Sequence, residues 1–255
     1  MTTTLLTAEI RKVTTLRFWW ALAIPPVLVG VCASAISSAA ASTTGVLVDG
    51  DVDGVLLAGL VVALVTAMIF AAVFSAVNAG TEFRHDTITT TFLTASGRDR
   101  VIGAKVAVTA LFSLGYGLVV SICSIICLLL FTGGEFVLSA DIVANVIAGL
   151  GAIVAWSLIG SGLGLLFRSP TWPSIAIVAW FPVGETIVVA ILSGLGWDGV
   201  WHVTPSTLTI SVIGAGRIDD ADVFPVWPWA PIGLTLWAFA ALAAGWYRTR
   251  EHDID

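Results

Sequence analysis

The sequence predicts an all-α integral membrane protein with six transmembrane helices. Three observations predict it. Apolar residues make up 58% of the 255 positions and charged residues only 11%, where a soluble domain carries about 25% charged residues. Mean hydropathy is +1.00. The apolar residues also fall into six runs, each near or above the ~20 residues a helix needs to cross the hydrocarbon core. A soluble chain of this composition would expose large apolar patches, so the bilayer must solvate most of it.

The chain opens on an amphipathic stretch, 5–17. At ~100° per residue, Leu5, Leu6, Ile10, Val13 and Leu16 share one face. Glu9 interrupts that stripe, and Arg11, Lys12 and Arg17 add positive charge. With Trp19 and Trp20 following, this suits a helix lying in the headgroup layer. A plain extension of the first span is the alternative. Ala33-Ser34-Ala35 resembles a signal-peptide cleavage site, but the run is read as a retained span.

The six spans are expected at 18–41, 55–77, 101–131, 142–167, 172–193 and 229–247. Together they make one transmembrane domain over 1–255. Pro25 and Pro26 should kink the first span. The third is long enough to tilt or project beyond the membrane. Gly160 and Gly164 place small residues four apart in the fourth, which lets two helix backbones approach closely.

Orientation follows from Lys and Arg. With the N-terminus inside, the inner segments hold ten of the eleven cations, and the outer segments hold only Arg217. Both termini are therefore expected in the cytoplasm, with the chain multi-pass in the cell membrane. Trp197, Trp201, Trp227 and Trp229 fall near the expected outer interface, and Trp172 and Trp246 near the inner one. Trp156, Trp180 and Trp237 lie deeper, where they either pack between helices or line a cargo path.

The outer segment 194–228 is too long for a simple turn. Within it, Thr204-Pro205 reads as an N-cap followed by proline at the first helical position. Gly214 and Gly216 can end that helix. Its apolar residues, Leu208, Ile210, Val212 and Ile213, predict a short helix over or partly within the outer leaflet.

Several function classes fall away. A net charge of −6 without a basic stripe argues against nucleic acid. Cys32, Cys123 and Cys127 sit in apolar runs and read as packed small hydrophobes. His85, His202 and His252 are scattered over both sides and cannot form one metal site, so none is expected. No stretch fits the phosphate loop G-x-x-x-x-G-K-[ST]. Any ATP-driven transport would need its ATPase on a separate polypeptide.

The longest polar run lies between the second and third spans, at 80–100. It contains Glu82, Arg84, Asp86, Thr87, Ile88, Phe92, Leu93 and Arg98. Asp86 is a good N-cap, although β-branched residues follow it. Ile88, Phe92 and Leu93 can form one apolar edge ringed by charge, the pattern of a docking surface. An ordinary solvated loop is the alternative.

The pattern Gly80-x-Glu82-Phe83-Arg84-x-Asp86-Thr87-Ile88, then Arg98, then Ala104-Lys105, resembles the loop between spans two and three of type-2 ATP-binding-cassette (ABC) exporter permeases. Asp86 stands where that family usually has glycine, and Ser96-Gly97 where proline is common. The start with Glu9, Lys12 and Arg17 resembles the family's interfacial elbow helix. The long segment before the sixth span is similar to its paired outer half-helices. The resemblance implies a cytoplasmic coupling helix that docks into an ATPase subunit. It implies two ATPase subunits per complex and a second permease copy or a paralogue. This chain would bind no cofactor itself; ATP and Mg would sit on the ATPase. The cargo would be amphipathic: a drug-like compound, a lipid or a peptide.

Glu185 is the one carboxylate inside an expected span. A charge at mid-membrane costs about 2.5–3.5 kcal/mol on insertion scales, so it should face the bundle interior, a polar cavity or a dimer seam. It reads as structural or gating, with Trp156 and Trp180 as companions on a translocation path. The alternative function is a proton-coupled secondary transporter using Glu185. Intramembrane catalysis lacks a second ionisable partner for it.

Overall fold

The computed structural model describes residues 2–47, 52–84, 97–132, 136–197, 199–214 and 224–251. The described residues form helices and short connections, without strands. Among the described residues, six helical segments are long and apolar enough to cross a membrane.

Helix α1 runs Thr2–Thr15 and turns directly into α2, Phe18–Leu47. Pro25 and Pro26 lie inside α2. Helix α3, Val52–Arg84, is followed by α4, Arg98–Phe131, and α5, Ala140–Phe167. Ser139 caps α5 by accepting from the Ile142 N–H at 3.3 Å. The fifth span is a composite of α6, Thr171–Ala179, a π-helical turn, Trp180–Gly184, and α7, Glu185–Gly194. A 3-10 turn leads into α8, Pro205–Ile213, and α9, Trp229–Glu251, closes the bundle.

Helix α3 is the axis of the bundle. Leu60, Leu64, Met68, Phe74 and Ala76 on it are fully buried. It packs against α2, α4, α5 and α6, while α9 packs on α5 and α8. Between helices in lipid, close packing replaces the hydrophobic drive that water would supply. The expected role of Gly160 and Gly164 appears here. A Cβ at Gly160 would collide with the Ala72 carbonyl, and one at Gly164 would meet that of Ala76. On the other side of α5, Gly162 and Gly245 bring its backbone equally close to α9.

Three boundaries differ from the sequence expectation for physical reasons. The apolar run of the second span ends at Val77, yet α3 continues to Arg84. Its polar last turns find partners on neighbouring helices. The fifth span is not one regular helix. Pro182 has no N–H to donate, and the turn that contains it widens to π geometry. Asn145 lies near the start of the expected fourth span, where a polar residue reads as solvated or capping. It is instead fully buried, on the inner face of α5.

The helix foreseen after Thr204 is present as α8, with Gly214 at its C-cap. It is buried against α5 and α9 rather than resting on the bundle. Trp197 and Trp229 are exposed near this end, and Trp172 at the opposite one.

The α3–α5 contact yields a direct test. Gly160→Val forces a side chain against the α3 backbone, and overpacking of this kind costs about 1–3 kcal/mol. Its thermal unfolding midpoint should fall clearly below wild type. Gly151→Ala, on the open face of the same helix, should leave it unchanged.

Candidate functional site

Two clusters of polar side chains stand out, one at each end of the bundle. The first lies where α1, α3 and α4 meet. One helical turn of α1 presents Glu9 and Lys12; the last turn of α3 presents Glu82; the start of α4 presents Lys105. Lys12 Nζ donates to Glu9 Oε1 at 2.7 Å and to Glu82 Oε1 at 2.9 Å. Lys105 Nζ donates to Glu9 Oε2 at 3.1 Å and to Glu82 Oε1 at 2.8 Å. The four groups form a closed square of alternating charge with no net charge.

Burial within the square is uneven. The side chains of Lys105 and Glu9 are 5% exposed and that of Glu82 11%, but Lys12 is 42% exposed. Three charges are therefore withdrawn from water, and the fourth closes the square from outside. Partial burial alone would lower the Lys12 pKa. The hydrogen bonds and charges of Glu9 and Glu82 outweigh it and hold the ammonium above its ordinary value of 10.5.

A polar ladder descends from the square between α3 and α4. One turn below Glu82 and Lys105, Asn78 Nδ2 donates to Thr109 Oγ1 at 2.9 Å. One turn further, Ser75 Oγ lies 3.4 Å from Ser113 Oγ and 3.0 Å from Ser157 Oγ on α5. Asn78 directly follows the expected second span, where a polar residue reads as solvated or capping. In the structure it is a half-buried rung between two helices.

The other helix ends at this level are tied in as well. Arg168, in the left-handed region at φ 50°, donates from Nη2 to the Arg248 carbonyl at 3.1 Å and lies over the Phe83 ring. Burial, and then the charge of Arg248, lower its pKa. Trp246 Nε1 donates to Asp99 at 2.9 Å, and Arg250 stacks on the indole. Beside the square, a cleft of about 540 Å³ is lined by Lys12, Asn78 and Glu82 together with Leu16, Phe18 and Val77.

The second cluster is built around Glu185, in the first turn of α7. Its carboxylate accepts the backbone N–H of Ser206 at 2.8 Å and of Thr207 at 3.0 Å. It also accepts Thr204 Oγ1 at 2.7 Å, Thr207 Oγ1 at 2.9 Å and Trp180 Nε1 at 3.2 Å. The orphan N–H groups at the start of α8 are thus capped by a residue from another helix. Thr204 holds the N-cap position, but its hydroxyl turns to Glu185 instead of capping the N–H groups of its own helix. Negative charge at a helix N-terminus is also favoured by the helix dipole.

Trp156 completes this end. It is 3% exposed, donates from Nε1 to Thr209 Oγ1 at 2.8 Å, and meets Phe181 edge-on. Glu185, Trp156 and Trp180, grouped in sequence as path or gate residues, therefore all converge on α8.

The other sequence-derived residues are more dispersed. Glu9, Lys12 and Glu82 meet in the square. Arg17 is exposed in the turn between α1 and α2, Arg84 ends α3, and Arg98 begins α4. Asp86, Thr87, Ile88, Phe92 and Leu93 lie outside the described residues. Sequence reasoning missed Lys105 as a member of the site. Its sequence signals were its place four residues after a span boundary and its part in the Ala104-Lys105 end of the resemblance motif. Among the described residues, no group of three His, Cys, Asp or Glu converges as a metal ion would need. No family model matches the chain, and no curated protein matches its sequence.

The square makes unequal demands on its members. Lys105→Met strands two carboxylates with one half-exposed partner, and breaking a buried pair costs about 3–5 kcal/mol. Lys12→Met should cost under about 1 kcal/mol, in the range of exposed pairs. The sign of the Lys12 effect with pH also follows. Its folded pKa is raised, so its contribution is complete below about pH 10.5 and fades as pH climbs through the folded value. The difference in unfolding midpoint between wild type and Lys12→Met should be flat from neutral pH to that point and shrink above it.

Proposed function

We propose that the chain is the membrane-spanning permease subunit of an ATP-driven ABC exporter of type 2. It works with two ATPase subunits and with a second permease, identical or paralogous. Both termini lie in the cytoplasm, and the complex sits in the cell membrane. The cargo is amphipathic: a drug-like compound, a lipid or a peptide.

The observation that carries this reading is the charge square. It fastens the N-terminal amphipathic helix to both helices that frame 85–96. An exporter needs that linkage if a separate motor acts on the segment. ATP binding would close the ATPase pair, displace a coupling helix around 87–93, and move α3, α4 and α1 as one body. The polar ladder below the square carries the displacement into the bundle. The sequence resemblance over Gly80–Lys105 and the cation asymmetry between the two sides support the same assignment. ATP and Mg belong to the partner ATPase in this scheme.

Two further features agree with it. The fifth span carries exposed apolar side chains on Ile175, Val178, Ile187 and Ile191, a face suited to a second permease or to lipid. The cleft beside Lys12 and Glu82 mixes apolar and charged lining residues, which suits an amphipathic compound.

Proton coupling through Glu185 is the competing reading. Five donors surround that carboxylate, and they give it a capping task that explains its presence without a proton relay.

The test is purification of the full chain from its native membrane with its partners. Wild type should bring down an ATPase subunit. Phe92→Asp should lose it, because a docking aromatic is worth about 2 kcal/mol or more, roughly thirtyfold in affinity. If no nucleotide-binding protein accompanies the wild type, and transport collapses with the proton gradient and with Glu185→Gln, the exporter reading is wrong.

A further inference from the structure

An apolar groove of about 380 Å³ lies between α1, α2 and α4. Its walls include Ile10, Trp19, Val27, Leu111, Gly115 and Val119. The Tyr116 hydroxyl at its floor is occupied by the Trp19 carbonyl. The lining thus offers a ligand almost nothing but hydrocarbon. The groove opens on the outward face of α4, where Leu111, Leu118, Val119, Ile122 and Ile126 are all exposed. Gly115 sits in that row, and a Cβ built on it would meet nothing within 4 Å. A missing side chain in an otherwise continuous apolar row makes a notch.

Length and charge identify the occupant. On α2 the groove runs from Trp19 to Val27, and on α4 from Leu111 to Val119. Eight residues of helix span roughly 12 Å. That is close to the depth of one leaflet in a hydrocarbon core of about 30 Å. At the α1 end two cations flank the groove in sequence: Arg11 follows Ile10, and Arg17 precedes Trp19 by two residues. Both are exposed. An apolar channel about one leaflet deep, with exposed arginines close in sequence to its lining residues Ile10 and Trp19, suits an anionic lipid.

We propose that this groove binds one acyl chain of an anionic phospholipid, with the lipid phosphate held by Arg11 and Arg17. The bound lipid fills the space between α1 and α4 and anchors the amphipathic helix to the membrane surface. The proposal does not rest on the exporter reading.

The experiment is native mass spectrometry of the full-length protein in detergent, with equal amounts of dioleoyl phosphatidylglycerol and dioleoyl phosphatidylcholine. Wild type should retain one phosphatidylglycerol per chain in preference to phosphatidylcholine. Gly115→Leu fills the notch and should lower retention about tenfold, the equivalent of a modest pocket loss. Gly151→Leu places the same side chain in open space on α5 and should retain lipid like wild type. Arg11→Gln with Arg17→Gln should keep a lipid but lose the preference for the anionic one, by about thirtyfold if each cation acts fully. Equal retention by Gly115→Leu and Gly151→Leu would overturn the groove as the site. Equal retention of the two lipids by wild type, or an unchanged preference in the double variant, would overturn the headgroup assignment.

Discussion

The arrangement at the α1 end depends on a buried square of two carboxylates and two ammoniums. Removing such groups from water costs several kcal/mol per ion, and the attraction offsets this only when the geometry is close and every charge is answered. Here each carboxylate lies between two cations at 2.7–3.1 Å. The closure has structural consequences. Helix α1 has 14 residues, six of them threonine, and an isolated helix of that length is marginal in water. It persists because Val13 is buried on the bundle and Glu9 is held by Lys105. The same contacts let α3 continue past its apolar run to Arg84. One set of ion pairs thereby defines the start of the chain, the end of the second span and the start of the third.

The opposite end solves a related problem in a different way. A short helix folded back into an apolar bundle exposes N–H groups where water cannot reach them. Glu185 answers them from the neighbouring span. The π turn immediately before it, forced where Pro182 cannot donate, rotates the start of α7 relative to α6. Trp180, at the beginning of that turn, then reaches back to the same carboxylate. The irregular segment and the buried charge therefore belong to one construction, which fixes α8 between the fifth span, α5 and α9.

Much of this was legible in the sequence because it is local. Six apolar runs, the amphipathic start and the small residues of α5 are periodic signals. Thr204-Pro205 and Gly214 bracket α8 within ten residues. The square was not legible, because Lys105 lies 96 residues from Glu9 and 23 from Glu82. Hydropathy treats those groups as span ends and hides their pairing. The partner of Asn78 and the burial of Asn145 are hidden for the same reason. A polar residue at the edge of an apolar run looks solvated until its helix partner is known. Glu185 was recognised as buried, but its partners Ser206 and Thr207 act through backbone N–H groups, which carry no sequence signature.

The central claim is that Glu82 and Lys105 act as a coupled pair that welds α3 to α4 and α1. A double-mutant cycle on unfolding free energy tests it most directly, using Glu82→Met, Lys105→Met and both together. Each single change should be costly, while the double leaves Glu9 and Lys12 as a neutral pair. The coupling energy should then reach about 2 kcal/mol or more, well beyond the ~0.5 kcal/mol scatter of independent sites. Additive costs within that scatter would mean that the two residues do not hold the helices together.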